Sequence, residues 1–214
     1  LRDLAPIGLV TRIPTVVCIH PSIPAKTQQQ LIALARRHPG KLNYGSGGIG
    51  PTNHLATEML LHMAKIQMVH IPYKSTAAAL LAMVSGESDL VVITTTAAIP
   101  LIHAGKVRAL AVASDKREPT LPHVPTLKEA GLPNFAYESW FGLMAPAGTP
   151  AAIIDKVNKD VVEALQDKAM QERMAKQGTS LENSPYAELA RQTLARYSST
   201  QVKEGPERVA RAIE

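Results

Sequence analysis

The sequence predicts an α/β fold, and three observations predict it. Short apolar runs rich in Val, Ile and Leu alternate along the chain with segments of helical periodicity. Proline and glycine punctuate most of the changes from one to the other. The apolar fraction of 45% and the charged fraction of 19% are those of a globular protein, and 214 residues suffice for one large domain or two small lobes.

The elements follow in order. Thr15–His20 reads as an apolar strand, broken by Pro21 and Pro24. Thr27 with Gln30 makes a capping box ahead of a helix whose apolar face is Leu31, Leu34 and Ala35, and Pro39-Gly40 stops it. The strand Leu42–Tyr44 runs into the loop Gly45-Ser46-Gly47-Gly48-Ile49-Gly50-Pro51, and the loop into a helix with Leu55, Met59 and Met63 on one side. Met68–Ile71 is a strand closed by Pro72-Tyr73-Lys74. Thr76–Val84 reads as a buried helix with Gly86 at its C-cap. Leu90–Ile93 is a strand, Ala98–His103 a short helix and Val107–Ala113 a strand.

Asp115–Pro125 is a polar connection. Thr126 with Glu129 predicts a second capping box, on a very short helix that Gly131 stops. Tyr137–Ala145 is a strand carrying Trp140. Thr149 as N-cap and Pro150 as first helical residue start a helix with the stripe Ile153, Ile154, Val157, Val161 and Leu165. A further helix ends at Gly178, and Ser184-Pro185 opens a last one running toward Lys203. Val16–Pro24 and Phe141–Pro150 echo each other as strand, proline-bounded loop and helix start. Two crossings between lobes is one reading of the echo, and the commonness of proline-rich loops is the other.

Charge and cysteine bound the function classes. The formal charge is +5, but its Lys and Arg residues are scattered and no basic run is interleaved with aromatics, so nucleic acid is not an expected partner. Cys18, the sole cysteine, sits in an apolar run and reads as a buried, inert thiol. No apolar run reaches membrane-spanning length and no signal peptide is evident; the chain opens on Leu1-Arg2-Asp3-Leu4 without Met, as a processed or cut chain would.

The glycine loop carries most of the chemistry. A strand, a glycine-rich turn and a helix start present backbone N–H groups and the positive end of a helix dipole, which together hold an anion such as a carboxylate or a phosphate. Gly45, Gly47 and Gly50 satisfy G-x-G-x-x-G, which keeps open an enzyme that binds a nucleotide or dinucleotide at Gly45–Gly50. The next strand, however, ends in Pro72-Tyr73-Lys74 where that fingerprint needs an acid. A purely structural turn is the plain alternative. Ser46, His54 and Asp89 make a poor hydrolase triad, since position 44 is Tyr where a nucleophile elbow needs Gly. The seven histidines show no metal-ligand spacing, so neither a metal nor a cofactor is expected. Tyr73, Lys74, Ser75 and the run Thr94-Thr95-Thr96 also fall at strand ends, where ligands of parallel sheets lie. Ordinary loop capping would explain the threonines equally. None of these groups forms an evident acid–base pair, which favours binding without catalysis.

Several motifs then match a known family in order. Asn43-Tyr44-Gly45-Ser46 with His54-Leu55, His70-Ile71-Pro72-Tyr73-Lys74, Ala104–Val112, Leu121–Thr126, Glu129–Pro133, Trp140–Leu143 and Ala145–Pro150 resemble the tripartite tricarboxylate transporter receptors, or Bug-type periplasmic solute-binding proteins. The resemblance covers essentially the whole chain. It implies a two-lobed α/β fold of the type II periplasmic-binding class, with the second lobe (15–135) complete and the first partial (1–14 and 136–214), because members carry a further segment ahead of the one matching Leu1. It implies periplasmic placement, capture of a small organic carboxylate, hand-over to membrane transporter subunits, and no catalysis. Carried over by position, the ligand contacts would be Ser46, Gly47, Gly48, Gly50, Thr52 and His54 on the loop, Tyr73, Lys74 and Ser75 on a second wall, and Thr94 and Thr95 at a third strand end. Gly47, Ile49 and Pro51 stand where the family has small or polar residues, Ser75 where it has Gly and Ile93 where Asp is common. A receptor that has lost binding and self-associates through the incomplete lobe is the alternative within the family.

Overall fold

The computed structural model describes residues 3–135, 137–176 and 179–181. The chain divides into two compact units, one of Ile13–Ser139 with Met174–Thr179, the other of Leu1–Arg12, Trp140–Arg173 and Ser180–Glu214. The last helix expected from Ser184 lies outside the described residues.

The larger unit is a three-layer α/β/α arrangement. Its strands are the C-terminal half of β1 (Leu4–Ile19), β2 (Asn43–Ser46), β3 (Val69–Pro72), β4 (Leu90–Thr94) and β5 (Arg108–Val112), in the order β3-β2-β4-β1-β5. β2 runs parallel to β3 and β4, with Tyr44 opposite His70 and Leu90. β1 runs antiparallel between β4 and β5, with Val17 opposite Val92 and Ala111.

Side-chain alternation on the central strands divides the apolar residues between two helical layers. Val17, Ile19, Leu90 and Val92 pack with Leu31 and Ala35 of α1 (Gln28–Arg37) and Ala56, Leu60 and Leu61 of α2 (Thr52–Ala64). Val16, Cys18, Val91 and Ile93 pack with Ala79 and Met83 of α3 (Thr76–Ser85) and Ala98 and Ile99 of α4 (Thr95–His103). Both faces of the sheet are therefore covered, which explains why these strands read as continuous apolar runs. Cys18 is fully buried, and burial pushes its thiol up to about 12, so it stays protonated and inert.

Local chemistry sets the helix ends. The Gln30 N–H donates to Thr27 Oγ1 at 3.2 Å, and the Ala78 N–H to Ser75 Oγ at 3.1 Å. Gly86 caps α3 as expected. α4 starts at Thr95, three residues earlier than its apolar pattern suggests, so Thr94 is a cap residue and Thr95 a helical one. Thr126 and Glu129 do form a reciprocal box, with Thr126 N–H on Glu129 Oε2 at 2.7 Å and Glu129 N–H on Thr126 Oγ1 at 3.1 Å. It closes a single turn rather than a helix.

In the smaller unit, the N-terminal half of β1 pairs with β6 (Glu138–Pro146) and with β7 (Ser180–Leu181), Thr11 lying opposite Leu181. The sequence pattern places no strand before Thr15, because Pro6, Gly8 and Pro14 interrupt any alternation; the strand forms on partners far along the chain. Asn158, on α5 (Ala151–Leu165), donates from Nδ2 to the Ile7 carbonyl at 2.8 Å. The N-cap of α5 is Pro150, and Thr149 Oγ1 instead donates to the Pro146 carbonyl at 2.8 Å. Of the expected stripe on α5 only Leu165 is buried, while Ile153 is exposed. α6 (Lys168–Lys176) follows. Trp140, Phe141 and Leu143 of β6 are all exposed. Among the described residues, no helix is long and apolar enough to cross a membrane.

Candidate functional site

The carboxyl ends of the parallel strands β2, β3 and β4 lie along one end of the sheet, and polar groups leave each of them. From β2 comes the loop 47–51 and then α2. From β3 come Tyr73, Lys74 and Ser75 and then α3. From β4 come Thr94 and Thr95, the start of α4.

The first two groups are in contact. The Tyr73 N–H donates to the Ser46 carbonyl at 2.8 Å. A Cβ placed on Gly47 would lie 2.8 Å from the Thr76 nitrogen and 3.1 Å from the Ser75 carbonyl carbon, so the loop rests directly on the start of α3. Thr94 and Thr95 share the end of the sheet by topology. Thr95 is buried, and Thr96 Oγ1 donates to Thr94 Oγ1 at 3.2 Å. Lys74 and Ser75 are exposed, as are Gly50 and Thr52.

The loop turns on Gly48 and Gly50, at φ +111° and +100°, conformations that side chains disfavour. Between them Ile49 is 62% exposed. The loop's N–H groups are held by side chains at long range: Gly47 on Asn53 Oδ1 at 3.4 Å, Gly48 on Ser46 Oγ at 3.2 Å and Gly50 on His54 Nδ1 at 3.4 Å. These are weak placeholders that a better acceptor can displace. The first N–H groups of α2 have no intrahelical acceptor, and the helix dipole adds its positive end.

Beneath the loop lies a cluster whose pairings the sequence did not indicate. Ser46 is fully buried, and its O–H donates to the Gly48 carbonyl at 2.7 Å. His70 Nε2 is 2.6 Å from Ser46 Oγ. Because the hydroxyl proton is committed to Gly48, His70 carries its proton on Nε2 and donates it; that tautomer is assigned from the network. Ser46 thus shapes the loop through its side chain. Tyr44, fully buried, stacks on the His70 ring at 4.8 Å, and its hydroxyl donates to Glu58 on α2. The His54 and His70 rings lie 4.4 Å apart.

The imagined triad does not form. Asp89 accepts from the Asn43 N–H at 2.8 Å and its own N–H donates to Asn43 Oδ1 at 2.9 Å, a clasp between the starts of β4 and β2, at the opposite end of those strands from Ser46. Among the described residues no three His, Cys, Asp or Glu side chains are grouped to hold a metal ion. Asn53, His70 and Glu58 were absent from the expected site. An Asn at the second position of a helix that follows a glycine loop was the available signal for the first; the other two depend on a strand pairing that spacing does not reveal.

The cluster makes stability depend on pH. Burial, and then the neighbouring His54, lower the His70 pKa, with Glu58 opposing. An unfolded His takes up its proton near pH 6.5. Below that pH the unfolded chain binds more protons than the folded one, so stability falls as pH drops toward the folded pKa. The thermal midpoint is expected to be lower at pH 5 than at pH 8. His70→Gln, which keeps an N–H donor for Ser46, should flatten the difference; an identical pH dependence in the variant would remove His70 as its cause.

Comparison with known proteins identifies the family and the fold. The profile of the tripartite tricarboxylate transporter family receptor matches residues 1–208. A UPF0065 protein from the tcbD-tcbE intergenic region of Pseudomonas sp. (strain P51) is 36% identical over 165 residues, covering 77% of this chain and 49% of that protein. The chain spans about half the length of the curated relatives of this kind that it matches. Among solved structures, R. palustris Rpa4515 with adipate is 32% identical with a TM-score of 0.85, covering 98% of this chain and 68% of that one. The periplasmic binding protein BugD is also 32% identical, with a TM-score of 0.83 and 98% and 70% covered. The expected α/β periplasmic-binding-protein fold is the one these likenesses show, and the chain covers part of it. This chain belongs to the tripartite tricarboxylate transporter receptor family.

Proposed function

We propose that the chain is an extracytoplasmic solute receptor that holds a small organic carboxylate at its glycine loop and delivers it to tripartite tricarboxylate-type transporter subunits in the periplasm. The family is one of binding receptors rather than enzymes. The observation that carries the reading is the junction of two strand ends. Loop N–H groups with weak internal acceptors, and the start of α2, rest against a segment that supplies Tyr73, Lys74 and Ser75. One carboxylate oxygen would take the N–H groups of Gly47, Gly48 and Gly50, with Thr52 and His54 beside them. The Lys74 ammonium would supply opposite charge, while Tyr73, Ser75, Thr94 and Thr95 would supply hydroxyls. Ser46 would act from beneath, by holding Gly48. In this assignment the lobe 15–135 carries the site. The adipate bound to Rpa4515 supports the ligand class.

The test is a thermal-shift screen with acetate, adipate, malate, citrate, benzoate, amino acids and NAD(H). A ligand at a hundred times its Kd stabilises by about 2.7 kcal/mol, or roughly 5 to 10 °C at this size. A carboxylate shift that Lys74→Ala weakens several-fold supports the site. An equal shift in that variant removes Lys74 from it, and a shift with NAD(H) alone replaces the reading with nucleotide binding.

A further inference from the structure

We infer that the side-chain amide of Asn53 is a ligand-reading group of this site, donating from Nδ2 to a carboxylate oxygen; this rests on the glycine loop being the carboxylate site. Asn53 is only 5% exposed. Its Oδ1 accepts two backbone N–H groups, from Gly47 at 3.4 Å and from His54 at 3.1 Å. Its Nδ2 is buried and has no hydrogen-bond partner.

The amide cannot be satisfied by turning over. A flip would set the NH2 group against two N–H donors and strand the oxygen, so the backbone of the loop fixes the orientation. Two donors are therefore held in place beside Gly47, at the second residue of a 13-residue helix, where the dipole already favours negative charge. Two acceptors of the loop are already engaged: Ser46 Oγ receives Gly48 and His70, and His54 Nδ1 receives Gly50. A buried donor left unpaired is costly, and what it lacks is an acceptor. A carboxylate oxygen on the loop supplies one. The same amide then serves twice, with its oxygen shaping the cradle and its nitrogen reading the occupant.

The experiment uses the whole chain, labelled with 15N, titrated with acetate, adipate and malate against chloride at matched ionic strength. The Asn53 side-chain NH2 signals, identified by their loss in Asn53→Asp, should shift with a carboxylate and not with chloride. Asn53→Asp keeps an oxygen for Gly47 and His54 but removes the donor. Ile49→Asp adds the same charge on the exposed part of the loop with the amide intact. Calorimetry with adipate or malate should show Asn53→Asp losing at least tenfold more affinity than Ile49→Asp. Loop backbone signals that respond while the Asn53 NH2 stays still, or equal losses in the two variants, would overturn this inference alone. No loop response to any of the three carboxylates would overturn the carboxylate reading and this inference with it.

Discussion

Gly47→Val is expected to destabilise the larger unit and abolish carboxylate binding in one step. The backbone at 47 is not in a left-handed conformation, so the effect is steric. A Cβ there would sit 2.8 Å from the Thr76 nitrogen and 2.9 Å from Thr76 Oγ1. The hydroxyl could rotate away, but the nitrogen and the Ser75 carbonyl carbon at 3.1 Å are main chain at the start of α3. The loop must therefore lift off that helix. Lifting it pulls the Gly47 N–H from Asn53 and separates the two walls of the proposed site. Overpacking of this kind costs about 1–3 kcal/mol, a fall in the midpoint of roughly 2 to 12 °C. Differential scanning calorimetry and a carboxylate titration of the same sample check both halves. A variant that melts and binds as the parent does would show that the contact between the loop and α3 does not matter.

Much of this arrangement was legible in the sequence because it is local. The glycine loop, the cap at Thr27 and the Gly86 terminus each depend on residues within a few positions, and their spacing states their geometry. The central strands announced themselves because both faces are buried, leaving unbroken apolar runs such as Thr15–Ile19 and Leu90–Ile93. The N-terminal half of β1 did not, since its pairing with β6 and β7 and the Asn158 bond to Ile7 span most of the chain. The site followed the same division. Its backbone donors could be read from glycine spacing. Ser46 turning inward to His70, and Asn53 reaching back to Gly47, depend on which way a side chain faces once β2 and β3 pair.

That pairing explains why the largest stability effect should come from a residue under the site. Tyr44→Ala is expected to cost about 3–5 kcal/mol, the usual range for deleting a buried aromatic ring. At this size the midpoint would fall by roughly 6 to 20 °C. The ring is fully buried, stacks on His70 at 4.8 Å with planes 14° apart and lies 6.4 Å from His54. It thus supports both imidazoles that hold Ser46 and Gly50, and its removal should weaken carboxylate binding as well. Tyr44→Phe separates ring from hydroxyl. It keeps the stack and loses only the bond to Glu58, an exposed carboxylate that water can satisfy, so it should cost about 1 kcal/mol and leave binding near the parent's. Urea denaturation of the two variants decides the matter. If alanine costs no more than phenylalanine, the stack on His70 contributes little, and the loop draws its shape from its own glycines rather than from the ring beneath it.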